Sequence, residues 1–564
     1  MNLPETFEAV CRAMSRPEFY PHPVSCLECR QTHISVVFLT GRWVYKLKKP
    51  KNLGFLDYRT LADRRRFCER EVALNQRLSL GVYVEVVAIH DNGQGGFSLL
   101  SGGEVVEYAV KMVQLPEAEC LAELLVKGGA PPERVAELGD VLAGFYRRAE
   151  TGPHIDAFGD PEHIRFNMEE NFEQTAPFVR EFMDPERWEF VRQVCLSFWE
   201  GHGELFRHRV AGGRIRDGHG DLRADHVYLG ERVQVIDCIE FNERFRYGDA
   251  AADLAFLLMD LDHRGHADLG RRILSVYARS APDPEIYALL DFYAAYRAMV
   301  RLKVSCLSLE QADAVLRERL EADIGRYLRQ AYRYAVAFGR PNLWVFCGLP
   351  ASGKSTLAEL VCAALFMPLI QSDRVRQQDP DFAGGQVVPF NTGMYHPAMR
   401  GRVYARMLNM AQDELRRGRS AALDATFSEG RWREAAARLA HDLNVGLVFV
   451  HCACPPETIR RRLALREAGT GLSDARLIHF EDMFRHFDPV EEPAPDTLLV
   501  VDTGSAPEEA LFETLDRAHA LRQSQVETLL RALDGAGQTL SRESGTRPGC
   551  SVRPPRRRGR QESG

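Results

Sequence analysis

The chain has 564 residues, a net charge of −7, 45% hydrophobic and 27% charged residues. That is the balance of ordinary globular protein, but the length exceeds the ~250–300 residues that one core fills, so more than one domain is expected. An acidic body lacks the electrostatic footprint of a duplex nucleic-acid binder, and no uncharged apolar run reaches the ~18 residues of a membrane span.

The start, MNLPETFEAVCRAMSRPEFY, is acidic and amphipathic. It has no basic segment leading into an apolar one, which argues against a secretory signal and for the cytoplasm. The thirteen cysteines fall largely in apolar segments, among them Cys195, Cys238, Cys347 and Cys362, as reduced core thiols do. Cys26 and Cys29 form an isolated C-x-x-C. A zinc or redox role would need a second pair or thioredoxin-like surroundings, and neither is present.

Residues 1–338 begin with strand-like pieces and continue mostly as helices. Val44 to Lys49 ends an alternating strand in which Lys46 and Lys48 share one face. A helical stretch, FCEREVALNQRL, carries Glu71, and EYAVKMVQLP (Glu107 to Met112 and beyond) reads as a further apolar segment. Next comes Arg216-Asp-Gly-His219-Gly-Asp221-Leu-Arg-Ala-Asp-His226, followed by the short strands VYL and VQVIDC, then Asp237 and Glu240. Tyr247-Gly-Asp249 and Asp253-Leu-Ala follow.

In this order the segments resemble the aminoglycoside phosphotransferase family, a bilobal branch of the protein-kinase-like fold, over about residues 30–305. The resemblance implies that Asp221 accepts the proton of a substrate hydroxyl and that Asp237 binds Mg²⁺. It also implies that Lys46, paired with Glu71, holds ATP phosphates, with Lys48 as the second candidate. By the same resemblance Asp253 braces the catalytic loop and Glu107 to Met112 forms the adenine hinge. His219 reads as a packing residue. Two positions depart from the pattern. His226 occupies the place of the metal-binding Asn, where imidazole is a poor ligand for hard Mg²⁺. The stretch Gln31 to Ser35 stands where a glycine-rich phosphate loop is expected.

A helix from about Glu310 to Phe338 ends at Gly339-Arg340-Pro341, read as a linker of residues 339–341. Residues 342–530 alternate the apolar strands LWVFCGL, PLIQSD, AALDAT, VGLVFVHC and TLLVVD with helical patterns. This predicts an α/β domain with a parallel sheet covered on both faces, beside an α+β first domain.

The first of these strands leads into Gly348, Leu349, Pro350, Ala351, Ser352, Gly353, Lys354, Ser355 and Thr356. They match G-x-x-x-x-G-K-[ST] at every fixed position, between a strand and a helix. In this P-loop the backbone N–H groups cradle phosphate, Lys354 reaches the β/γ-phosphates, and the Ser355 hydroxyl binds Mg²⁺. Asp424 ends the third strand as a candidate Mg²⁺ carboxylate. Asp373 and Arg376 end the second strand in D-x-x-R. The domain resembles the small P-loop kinases that phosphorylate hydroxyls. By that resemblance Asp373 is the general base and Arg376 the substrate clamp; an N-cap Asp with a solvated Arg is the alternative. Arg462 and Arg466, four apart on a helix, read either as a phosphate-closing pair or as a solvated basic face.

The tail, residues 531–564, is basic: residues 541–564 hold seven Arg and two Glu. It reads as disordered, with contact to nucleic acid or anionic lipid as a secondary reading. With both halves in this order, the chain resembles a bacterial fusion of an aminoglycoside phosphotransferase-like domain with a P-loop ATP-binding domain. The resemblance implies a kinase using ATP and Mg²⁺ on a small-molecule or nucleotide hydroxyl. The alternatives are an ATP-dependent regulator with a sensor-like first domain, and a polynucleotide 5′-hydroxyl kinase.

Overall fold

The computed structural model describes residues 3–93, 96–100, 102–378, 396–466, 477–491 and 494–544. By contact the chain divides into two compact units, Met1–Ile164 with Phe206–Ala281, and Arg165–Leu205 with Pro282–Gly564.

Unit 1 opens with the helix Leu3–Met14 and an antiparallel sheet. Its strands are β1 (Glu28–Gln31), β2 (Ser35–Leu39), β3 (Trp43–Lys48), β4 (Tyr83–Asp91), β5 (Phe97–Ser98) and β6 (Glu104–Val113), in spatial order β1-β2-β3-β6-β4-β5. The period of two decides what each face meets. Tyr45 and Leu47 join Phe38, Ile89, Ala109 and the helix residues Val10 and Met14 in one core. Val44 joins Val110, Met112 and Cys68 of the helix Leu61–Asn75 on the other. Lys46 and Lys48 alternate in phase with Val44, so they too face that second helix. Thr60 caps it by accepting from Asp63 N at 3.0 Å.

The stretch expected as a hinge, Glu107 to Met112, lies inside β6, because the alternation of EVVEYAVKMV carries the strand on to Val113. Glu107 is fixed there in a buried ion pair with Arg64, Nε to Oε1 at 2.8 Å. Thr32 to Ile34 form the turn between β1 and β2.

The remainder of unit 1 is helical apart from two ribbons. β7 (Ile215–Asp217) pairs with β10 (Tyr247–Asp249), and β8 (Val227–Leu229) pairs with β9 (Val233–Val235), both antiparallel. The segment 218–226 joins β7 to β8, and Asp237 follows β9.

Unit 2 holds a five-stranded sheet, every neighbour parallel. Its strands are β11 (Asn342–Cys347), β12 (Leu369–Gln371), β13 (Ala421–Asp424), β14 (Gly446–Ala453) and β15 (Leu498–Asp502), in order β12-β13-β11-β14-β15. Leu343, Val345 and Cys347 bury one face against helices including Pro397–Arg416, while Trp344 and Phe346 are buried on the other. Both faces of β11 are therefore covered, as its unbroken apolar run requires.

The helices Ile286–Ser308 and Ala314–Gly339 belong to this unit. Asp291 accepts from Gln523 Nε2 at 2.6 Å and faces His519 Nε2 at 3.2 Å, and Arg522 donates to the Ala337 carbonyl. Residues 339–341 pass straight into the sheet: Gly446 N donates to the Pro341 carbonyl, and Arg340 Nε to that of Asn444. The helix Pro507–Ser544 continues past residue 531, where the tail was expected to begin; residues 545–564 lie outside the described residues.

Candidate active sites

In unit 2 the strand ends deliver the P-loop. Gly348 (φ +147°) and Gly353 (φ +105°) take conformations that L side chains rarely adopt, and a Cβ on Gly348 would stand 2.9 Å from the Cys452 carbonyl oxygen. Ala351 also adopts positive φ. The helix Lys354–Ala364 starts at the end of the turn, so its first N–H groups open toward the loop, and Lys354 lies near enough to act on Asp424. Arg462 holds the turn from behind. Its Nη1 donates to the Ser352 carbonyl at 2.9 Å and the Ala351 carbonyl at 3.4 Å, and its Nη2 to the Thr503 carbonyl at 2.8 Å. Arg462 is thus tied to loop backbone. Arg466 ends the same helix, and its side chain lies outside the described residues.

Asp424, at the end of β13, is buried. Burial raises its carboxyl above the ordinary range; Lys354 and the Ser355 hydroxyl act in the opposite sense. Its Oδ1 is buried without a hydrogen-bond partner, as is Ser352 Oγ. A carboxylate oxygen left waiting beside a lysine and a serine hydroxyl fits the donor set of a magnesium–triphosphate site. One strand over, Arg376 Nη1 donates to Asp373 Oδ1 at 2.6 Å, so the D-x-x-R pair is closed on itself. Asp373 also lies near enough to raise the Asp424 carboxyl. Tyr404 donates or accepts at Thr426 Oγ1 (3.2 Å) and accepts from Phe427 N, which fixes the loop after β13.

In unit 1 the charged residues of β3, the helix Leu61–Asn75 and the segment after β9 meet. Lys46 Nζ bonds to Glu71 Oε1 at 2.8 Å and to Asp237 Oδ1. Lys48 Nζ bonds to Glu71 Oε2 at 2.7 Å and to Glu240 Oε1, which also accepts from the Tyr58 hydroxyl at 2.6 Å. One carboxylate thus serves two lysines, with Lys46 turned to Asp237 and Lys48 to a buried pair beneath. Burial would raise the Asp237 carboxyl, but Lys46 overrides it and holds the group well below the ordinary range. Asp237 has φ +65° and its N–H donates to the Tyr83 hydroxyl at 3.1 Å, a strained backbone held by a specific bond.

The catalytic-loop segment is braced from inside. Asp253 accepts from His219 N (2.6 Å), Gly220 N (3.0 Å) and the Tyr146 hydroxyl (3.1 Å). His219 Nε2 donates to the Ile236 carbonyl, Nδ1 accepts from Asp221 N, and burial lowers the imidazole to about 4. It is therefore a neutral strut, not a base. Asp221 lies at the surface of this loop, where Arg223 holds both carboxylate oxygens, Nε to Oδ1 at 2.9 Å and Nη2 to Oδ2 at 3.1 Å. His226 Nδ1 donates to the Asp221 carbonyl at 2.8 Å; Nε2 stands 3.3 Å from Arg223 Nη2 and 3.6 Å from Asp237 Oδ2. Sequence reasoning missed Arg223 and Glu240. Glu240 had been noted only as a neighbour of Asp237, and the position of Arg223, two after Asp221, was the sole signal for it.

Among the described residues no group of three or more His, Cys, Asp or Glu side chains is arranged to hold a metal ion. A magnesium ion at Asp424 or Asp237 would draw its remaining ligands from nucleotide oxygens and water.

The family model described as AAA domain matches residues 343–490. Protein Rv2004c of Mycobacterium tuberculosis is 32% identical over 464 residues, which cover 81% of this chain and 90% of that protein. Mb2027c of Mycobacterium bovis matches equally. The chain belongs to the family of these two proteins. Among solved structures it is similar to a putative kinase from Chloroflexus aurantiacus (21% identity, TM-score 0.26, 32% of this chain and 98% of that one). It is also similar to aminoglycoside 2′-phosphotransferase-IIIa in its GDP complex (16% identity, TM-score 0.36, 59% of this chain and 99% of that one). The match to the family model lies wholly within unit 2 and takes in the P-loop. No helix among the described residues is long and apolar enough to cross a membrane.

Proposed function

We propose that the chain is an ATP-dependent phosphotransferase, working in the cytoplasm, with one nucleotide site in each unit. The observation that carries this reading is in unit 2: the P-loop, a buried carboxylate oxygen of Asp424 without a hydrogen-bond partner, and the Asp373–Arg376 pair all lie at the ends of adjacent parallel strands. Such ends are where α/β sheets bind nucleotides.

In this reading the loop N–H groups from Gly348 to Thr356 and Lys354 bind the triphosphate, while Ser355 and Asp424 hold Mg²⁺. The metal supplies charge neutralisation on the phosphates when bound. Arg462 keeps the loop in its binding shape. Arg376 releases Asp373 to hold the acceptor, and Asp373 takes the acceptor hydroxyl proton. In unit 1, Lys46, positioned by Glu71, binds phosphate; Asp237 is the metal carboxylate; Asp221 takes the proton of a second hydroxyl acceptor. The acceptors are small molecules or nucleotides.

A metabolite extract incubated with ATP and the full-length protein tests this. Phosphorylated products should vanish selectively with Lys354→Ala for unit 2 and Asp221→Asn for unit 1. A Lys354→Ala/Asp221→Asn protein consuming ATP at the parent rate would overturn it. A second reading, unit 1 as an ATP-binding regulator, is favoured by His226 standing where Asn is expected. It predicts that Asp221→Asn leaves every product in place.

A further inference from the structure

A kinase catalytic loop places a second metal ion through the Asn five residues after its Asp. That position is His226, and both of its ring nitrogens are engaged. Nδ1 is committed to the Asp221 carbonyl, which leaves Nε2 as an acceptor facing Arg223 Nη2. A cation already stands between His226 and the Asp221 carboxylate. It is a guanidinium, bound to both oxygens of Asp221, and His226 Nε2, which faces it, stands 3.6 Å from Asp237 Oδ2.

Arg223 is built into place. Its Nη1 donates to Asp225 Oδ2 at 3.0 Å, and Asp225 is gripped in turn by Arg264 Nη2 at 2.8 Å. Arg264 Nε bonds to Asp260 Oδ2, which also accepts from Ala224 N at 2.9 Å. The side chain is largely buried, so it is no solvated surface arginine. Asp225 and His226 thus hold one guanidinium against the carboxylate assigned to proton abstraction, with Arg264 and Asp260 behind Asp225.

We propose that unit 1 transfers phosphoryl with a single divalent ion, and that Arg223 is a catalytic residue supplying the positive charge of the second. The proposal rests on the reading of unit 1 as a nucleotide site. In the transfer, the acceptor O–H proton goes to Asp221. The acceptor oxygen forms its bond to the γ-phosphorus as the bond from phosphorus to the β–γ bridging oxygen breaks, and that electron pair leaves on ADP. Charge spreads over the three oxygens of the moving group. Arg223, paired with Asp221 at rest, stabilises that charge. A guanidinium suits this work because it stays charged and presents a planar fork of donors.

The test uses full-length protein carrying Lys354→Ala, Mn²⁺ and a non-hydrolysable ATP analogue with an imido bridge, read by electron paramagnetic resonance. Mn²⁺–nucleotide uptake that Lys46→Met diminishes establishes the unit 1 site. Uptake indifferent to Lys46→Met would sink the nucleotide reading and this proposal with it. With the site established, the expected spectrum is that of isolated Mn²⁺ alone, and His226→Asn should create a spin-coupled pair. A coupled pair in the protein with His226 intact, or none with His226→Asn, would overturn the single-ion proposal while leaving the nucleotide site standing. In the same background Arg223→Ala should lower ATP turnover about 100-fold or more, with the analogue Kd changed less than about threefold, and Arg223→Lys should recover part of the loss. Unchanged turnover with Arg223→Ala would refute the role.

Discussion

His219 should make unit 1 sensitive to mild acid. The imidazole is buried between the Ile236 carbonyl and the Asp221 N–H, and burial lowers it from the usual 6.5 to about 4. Between those values the unfolded chain binds a proton that the folded chain refuses, so stability rises with pH across the window and falls as pH drops from about 6.5 to about 4. The full difference is worth about 3 kcal/mol. Above pH 6.5 the contribution is complete; below pH 4 it is gone. Denaturant unfolding of unit 1 can be followed by Trp43, in a chain whose other tryptophans are replaced by Phe, at pH 7, 6, 5 and 4.5. His219→Asn should be less stable at pH 7, because the Ile236 carbonyl loses its donor, and the gap to the parent should narrow steadily as pH falls. A gap that stays constant over this range would refute the assignment of His219 as a buried neutral group. Histidine-selective NMR titration offers a direct second reading of the same value.

Three further outcomes follow from the geometry. Lys48→Met should cost about 3–5 kcal/mol in denaturant unfolding, since Glu240 is left with uncompensated buried charge and Glu71 keeps only Lys46, and adding Glu240→Gln should restore part of it. Arg462→Ala frees the Ala351, Ser352 and Thr503 carbonyls and should weaken ATP binding by unit 2 about tenfold to a hundredfold, measured by calorimetry with the Asp221→Asn chain. Gly353→Ala forces a Cβ to 3.2 Å from both Arg462 Nη1 and Thr503 Cβ at a φ of +105°; it should cost about 1–3 kcal/mol and abolish binding of a fluorescent ATP analogue at the P-loop.

How much of this could be read beforehand depended on the range of the interaction. The P-loop was legible because its chemistry is local: glycines, lysine and serine act within one turn between a strand and a helix. The five strands of unit 2 were legible as apolar runs, but their order, with β11 between β13 and β14, is set by crossovers that no local pattern records. The alternation of β3 put Lys46 and Lys48 on one face, yet not which of them meets Asp237; that is decided by Glu240, nearly two hundred residues away in sequence (|i−j| = 192 from Lys48). Arg223 escaped notice because it differs from a solvated arginine only through partners at Asp225, Arg264 and Asp260. The helices Ile286–Ser308 and Ala314–Gly339 show amphipathic spacing without an address, and their place in unit 2 comes from Asp291 finding Gln523 and His519.

The guanidinium of Arg462 turns the phosphate cradle into a suspended span. Its carbonyls hang from the same cation that grips Thr503, just ahead of the helix Pro507–Ser544. That helix is itself anchored through Asp516, His519 and Gln523 to the helix Ile286–Ser308. The helix Lys354–Ala364 also packs directly on Pro507–Ser544, so torque on this distal scaffold reaches the cradle by two routes, and the loop's shape becomes adjustable from positions well over a hundred residues removed from the glycines in sequence.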